Sequence, residues 1–252
     1  MHQPNPTVSA IVPCYNAEKT IERCLNSILG QSFPVMEILV YDDFSMDGSA
    51  AVLARMAKQH ACIRVFSGIE NKGAGFARTV LLKAARGTHL AFLDADDLWH
   101  PNKLRVQLDL MQRQKADISA CDYVVCDGEG KKLGIRRLPR SINSFKMHLR
   151  NEIPTSMAVL RSDLEGCRAM PMLRRRQDYA YWLNIFVQNP GLKCVSTPDV
   201  LGTYYRLPGS LSSSITANLK ANYHMFRTTQ NYTILFSAVC VCANVITRIM
   251  RI

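Results

Sequence analysis

Aspartates follow short apolar runs twice in this sequence: Asp42-Asp43 after Ile38 to Tyr41, and Asp94, Asp96 and Asp97 after Leu90 to Leu93. A carboxylate beside a buried strand end costs free energy unless something pairs with it. Carboxylate oxygens suit Mg²⁺ and Mn²⁺, so a divalent ion bound together with a phosphate-bearing ligand is a natural partner. Asp94 and Asp96 are two residues apart and share a face if the strand stays extended. Taken alone, such a D-x-D is more often a turn or a helix cap. Its place after an apolar run, with Asp42-Asp43 two strands earlier, favours a ligand site. Asp97 reads best as the cap of the next helix. Pro13, Cys14, Tyr15 and Asn16 close a third apolar run, Val8 to Val12.

The elements that must position these groups alternate. Val8 to Val12, Ile38 to Tyr41, Ile63 to Phe66 and Leu90 to Leu93 read as buried strands. Between them lie helical patterns, Glu18 to Leu29 with Ile21, Leu25 and Ile28 on one face, then about 48–59 and 75–85. Strand–helix alternation implies an α/β fold with a mostly parallel, doubly wound sheet, which binds ligands at the carboxyl ends of its strands. Further on, the pattern gives a helix from Pro101 to about Gln114, a strand from Ile118 to Val125, a Gly128–Gly130 turn, a helix over Tyr179 to Gln188 and a helical tail beyond Ser214. The expected division is one compact domain with two halves, 1–110 and 111–252.

Charge separates these halves. The 252 residues carry 31 Lys+Arg and 20 Asp+Glu; residues 1–110 hold 11 of each, so the whole +11 excess belongs to residues 111–252. A basic half should face something anionic. The nine cysteines form no C-x-x-C pair and several sit among apolar neighbours, which points to reduced thiols and a cytoplasmic setting. No signal-peptide pattern opens the chain. Thr228 to Thr247 is uncharged, yet its apolar centre, Ile234 to Ile246, is short for a span. A helix packed on the domain is the first reading, and an interfacial helix the second.

VSAIVPCYNAEKTIERCLNSILGQSF, EILVYDDFSMDGS and ENKGAGFARTVLLKAARGTHLAFLDADDLWHPNKL together resemble the family 2 nucleotide-diphospho-sugar glycosyltransferases of the GT-A fold. RQDYAYWL and LGTYYRLPGSLSSS resemble transferases of bacterial envelope polysaccharides, of the teichuronic acid type. The resemblance implies a GT-A fold with an elaborated C-terminal acceptor region and a metal-dependent, inverting transfer of a sugar from a nucleotide-diphospho-sugar, UDP in the first place. The acceptor would be a glycan or lipid-linked glycan. Tyr15 would place its ring against the base with Pro13 shaping that wall. Asp43 would accept from the base, with Asp42 nearby. Arg78 would lie near the diphosphate; the plain alternative is a surface residue on a helix. Asp94 would bind the ribose, Asp96 would ligate Mn²⁺ or Mg²⁺, and Asp178 would be the catalytic base. The basic half would meet lipid phosphates, an acidic glycan or an anionic membrane surface, making the protein cytoplasmic and peripheral on the inner face of the membrane.

This chain departs from the family pattern at three points. Asp-Asp-Gly-Ser reads Asp42-Asp43-Phe44-Ser45, Glu-Asp reads Gln177-Asp178, and Tyr205-Arg206 is followed by Leu207-Pro208 in place of a histidine. Arg206 with Ser210 to Ser214 could form a lid over the diphosphate, and acceptor choice is expected from loops 153–157 and 164–176. Three other readings compete. Gly73-Ala74-Gly75-Phe76-Ala77-Arg78 lacks the third glycine of a dinucleotide fingerprint and follows the wrong strand. A sugar nucleotidyltransferase would carry a Gly-rich basic loop after the first strand, where this chain has PCYNAEKT. A nucleic-acid-binding module would use Lys131 to Arg140 and Arg174 to Arg176, but neither run interleaves aromatics, so no nucleic-acid partner is expected.

Overall fold

The structure is a computed structural model and describes residues 5–206 and 215–249. Four strands pair in parallel, in the order β3 (Ile63–Ser67), β2 (Glu37–Asp42), β1 (Val8–Cys14), β4 (His89–Phe92). The same sheet continues through β9 (Val159–Arg161), β6 (Ile118–Asp127), β10 (Cys194–Arg206) and β5 (Leu98–Trp99), with β9 antiparallel to both its neighbours. β6 and β10 run parallel, and β7 (Lys132–Arg136) and β8 (Ser141–Ile142) pair at their sides. The result is the mixed, mostly parallel α/β sheet of a GT-A fold.

Period-two alternation divides the core between the two faces of this sheet. Ile11, Leu39, Leu90 and Phe92 point to one side, under α3 (Ala74–Ala84) and α6 (Gln177–Gln188). Ala10, Val12, Ile38, Val40 and Leu93 point to the other, under α1 (Ile21–Leu29), α2 (Ser49–Gln59) and α4 (Lys103–Gln114). α1 buries Ile21, Cys24, Leu25 and Ile28, the i, i+3, i+4, i+7 stripe of a one-faced helix. α6 is apolar nearly all round, and Tyr181 and Trp182 meet Phe92 edge-on at ring separations of 5.9 and 5.8 Å. That makes α6 a core helix, so its first turn is rigidly placed. The chain then passes through α5 (Ser144–Leu149), α7 (Ile215–Thr228) and α8 (Ile234–Ile249), so the expected tail is two helices.

Part of the basic run has a structural use. Asp122 is fully buried, and its carboxylate accepts from Arg140 at 2.8 and 3.1 Å, from Arg137 at 3.2 Å and from the Leu138 amide at 2.8 Å. Two of the cations between Lys131 and Arg140 therefore neutralise an internal acid.

Candidate active site

The loops after β1, β2 and β4 meet α3 around a cleft of about 630 Å³. Pro13, Tyr15, Asp43, Arg78, Asp94 and Asp96 all line it. Asp42 does not. It is buried behind the wall, where its Oδ1 accepts from the Ser45 amide at 3.2 Å and shapes the loop. Gly128, in the turn between β6 and β7, contributes from the second half of the chain.

The first two loops are tied together by backbone donors. The Asn16 amide donates to Ser45 Oγ at 2.9 Å, the Met46 amide to Asn16 Oδ1 at 2.9 Å, and the Ala17 amide to Ser49 Oγ at 2.8 Å. Tyr15 stands on this scaffold with half of its surface exposed (50%), so its ring is open to stacking. Phe44 has φ +64°, the left-handed backbone that favours glycine. The loop thus keeps the shape that a glycine would give it, and the phenylalanine carries the strain.

Asp43 is already bonded. Its Oδ1 and Oδ2 accept from the amides of Lys72 and Gly73, at 2.9 and 2.7 Å, which anchors the loop entering α3. A carboxylate offers about four acceptor sites, so capacity for a ligand donor remains. Arg78 is not a surface residue: it is buried and ion-paired with Asp94. Asp94 and Asp96 do not share a strand face, because β4 ends at Phe92 and the Asp97 amide closes a turn onto the Asp94 carbonyl at 3.0 Å. The turn still places both carboxylates in the cleft. Burial, then the charge of Asp94, raises the Asp96 pKa to about 6.

Asp97 is not a helix cap. β5 intervenes before α4, whose cap position is Asn102. Asp97 is instead fully buried and accepts from the Tyr205 amide at 3.0 Å, joining the acidic turn to β10. Burial, then the charges of Asp94 and Asp96, pushes its pKa well above the ordinary carboxylate value. Beneath it, Ser156 Oγ accepts from the Asp94 amide at 3.2 Å, and the Ser156 carbonyl accepts from Trp99 Nε1 at 2.8 Å. Segment 153–157, expected to read the acceptor, is therefore a buried support for the acidic turn: Ile153, Thr155, Ser156 and Met157 are all buried.

Sequence reasoning also missed Arg23. Its guanidinium lies 4.0 Å from the centre of the Tyr205 ring and donates to the Asp96 carbonyl at 3.1 Å, bracing the same turn from α1. No local signal marks an arginine on a helix face for this use. Arg206 sits in register with Asp127, beside Gly128 at the cleft, while Ser210 to Ser214 fall outside the described residues.

Asp178 is not among the lining residues. It lies in the first turn of α6, and its Oδ2 accepts from Asn151 Nδ2 at 3.2 Å. Gln177 packs against Gly75, where an added Cβ would come within 3.3 Å of Gln177 Cγ. The starts of α6 and α3 are thus in contact, and Ala74 and Ala77 of α3 line the cleft. Among the described residues no three His, Cys, Asp or Glu side chains are grouped for a metal. The acids present fit a hard cation of the magnesium kind, which takes one or two carboxylates and fills its shell with phosphate oxygens and water.

The Glycosyl transferase family 2 profile matches residues 9–175. The chain belongs to that family. Two relatives carry the likeness over most of the length of this family 2 glycosyltransferase. TuaG of Bacillus subtilis, named for teichuronic acid biosynthesis, is 33% identical over 224 residues, covering 88% of each chain. WfaP of Escherichia coli is named as a UDP-Glc:α-D-GlcNAc-diphosphoundecaprenol β-1,3-glucosyltransferase. It is 32% identical over 213 residues, 82% of this chain and 80% of its own. Among solved structures, S. aureus TarS 1-349 in complex with UDP superposes with a TM-score of 0.67 at 19% identity, over 95% of this chain and 70% of that one. A mannosyltransferase from Pyrobaculum calidifontis, in complex with GDP-Man and Mn²⁺, gives 0.66 at 20% identity, over 94% and 70%. At those identities the likeness establishes the fold.

Proposed function

We propose that this family 2 glycosyltransferase moves a sugar from a UDP-sugar, with inversion, onto a glycan or lipid-linked glycan during envelope polysaccharide synthesis at the inner face of the membrane. The observation carrying the reading is the cleft itself, where an open aromatic ring, Asp43, the Arg78–Asp94 pair and Asp96 face one space at the carboxyl ends of parallel strands. The names of TuaG and WfaP support the acceptor class.

In this reading the Tyr15 ring stacks on the base with Pro13 beside it, Asp43 accepts from the base, and Asp94 accepts from the ribose hydroxyls while Arg78 fixes its orientation. The acceptor hydroxyl attacks the anomeric carbon from the face opposite the nucleotide. The new C–O bond forms as the bond to the diphosphate breaks, and Asp178 takes the hydroxyl proton. Asn151 holds Asp178 oriented. Mg²⁺ or Mn²⁺, held by Asp96, would supply charge neutralisation for the departing diphosphate.

A thermal-shift screen of UDP-, GDP- and dTDP-sugars with Mn²⁺ tests the donor. UDP-sugars should raise the melting temperature most. A larger shift with another nucleotide, or none with any, would overturn the donor assignment.

A further inference from the structure

The C-terminal helix α8 is built the wrong way round for a helix in water. Its polar side chains face the protein: Asn244 Nδ2 donates to the His148 carbonyl at 3.1 Å, Asn222 Nδ2 donates to Asn244 Oδ1 at 2.9 Å, Thr247 Oγ1 donates to the Leu149 carbonyl at 3.3 Å, and Ser237 is fully buried. Cys240 and Val241 pack inward beside them, but the larger part of its apolar surface faces out. Leu235, Val239, Cys242 and Ile246 fall at spacings of 4, 3 and 4, one stripe of the helix, and all are exposed. Ile234 and Phe236 widen the stripe at its start. A soluble helix turns its apolar stripe inward, so a continuous exposed stripe marks a surface that meets something apolar.

We propose that this stripe docks α8 flat on the surface of an anionic phospholipid bilayer. Charge supports that occupant. From Lys220 to Ile252 the chain has Lys220, Arg227, Arg248 and Arg251 and no Asp or Glu. Arg227 Nη1 donates to the Tyr232 carbonyl in the loop that enters α8, so one of these cations is fixed at the helix start. Exposed apolar side chains in a stretch of sequence whose charges are all positive match an interface with acyl chains below and anionic headgroups around. A second copy of the chain would bring the same cations face to face, which opposes self-association through this stripe. The 16 residues of α8 reach about 24 Å, short of the roughly 30 Å hydrocarbon core, and among the described residues no helix is long and apolar enough to cross. The proposal rests on the membrane-surface reading above and names the element that makes the contact.

Vesicle co-sedimentation tests it with the intact chain. Phosphatidylcholine vesicles are compared with equal mixtures of phosphatidylcholine and phosphatidylglycerol, at low and high salt, with UDP affinity measured in parallel. Wild type should partition onto the anionic vesicles and less so at high salt. The triple variant Leu235→Gln, Val239→Gln, Ile246→Gln should lose about tenfold or more of that partitioning, with circular dichroism and UDP affinity unchanged. Val239→Asp, a single exposed change, should weaken partitioning in the same direction. No vesicle binding by wild type, or equal binding by the triple variant, would overturn the proposal. So would a concentration-dependent dimer that the triple variant abolishes. Loss of UDP binding beside intact vesicle binding would overturn the donor reading alone.

Discussion

Arg78 and Asp94, sixteen residues apart in sequence, form an ion pair in which the arginine side chain is buried (6% exposed) and the aspartate faces the cleft (35% exposed). This asymmetry sets the consequences of breaking it. Asp94→Asn leaves a buried guanidinium without its counter-charge and should cost about 3–5 kcal/mol of stability. Arg78→Met leaves a partly solvated carboxylate and should cost less, on the order of 1–2 kcal/mol. Denaturant unfolding of both single variants and the double variant checks the order. Equal costs would mean that the pair is not seated as described.

Phe44 holds a backbone conformation that glycine adopts without strain. It is 44% exposed, so replacing it forfeits little burial. Phe44→Gly should therefore be neutral or stabilising by about 0.5–1 kcal/mol, despite the loss of a ring. A thermal melt reads this directly, and a loss above about 1 kcal/mol would show the ring to be packed.

His89 predicts a pH dependence. Burial, then the charge of Arg161 on the paired strand, lowers its pKa from 6.5 to about 4, with Asp163 acting weakly the other way. The ring also bonds the neighbouring hydroxyl, with Thr88 Oγ1 and His89 Nδ1 3.0 Å apart. Between these pH values the unfolded chain binds a proton that the folded chain does not. Stability should therefore fall as pH drops from about 6.5 towards 4, by on the order of 1–3 kcal/mol from this group. His89→Gln should flatten that part of the stability curve. An unchanged slope would assign the effect to other groups.

Asp178→Asn should retain UDP-sugar binding and lose nearly all transfer, about 10²–10⁴-fold in kcat. Asn151→Ala, which removes the donor to Asp178 together with an acceptor for the Ile153 amide, should lower kcat with little change in donor KM. Transfer near the wild-type rate in Asp178→Asn would require another base.

The parallel strands were legible because Ala10, Ile11, Val12, Leu39 and Val40 are buried whichever face they take, which writes them as unbroken apolar runs. The ligand-facing residues were legible because polar groups stand directly after those runs. What sits beneath them was not. Asp97 finds its partner at Tyr205, 108 residues away, and Ser156 meets Asp94 across 62 residues, contacts that no local pattern encodes. The same holds for α8, where periodicity gives a helix and a stripe but only packing reveals that the polar side faces inward.

Calorimetric titration of UDP into wild type and Asp96→Ala, with and without Mn²⁺, tests the cleft most directly. Wild type should bind UDP more tightly with the metal present, and Asp96→Ala should lose that gain. Identical metal-dependent binding in both proteins would contradict the assignment of Asp96, and no UDP binding by wild type would contradict the donor site as a whole.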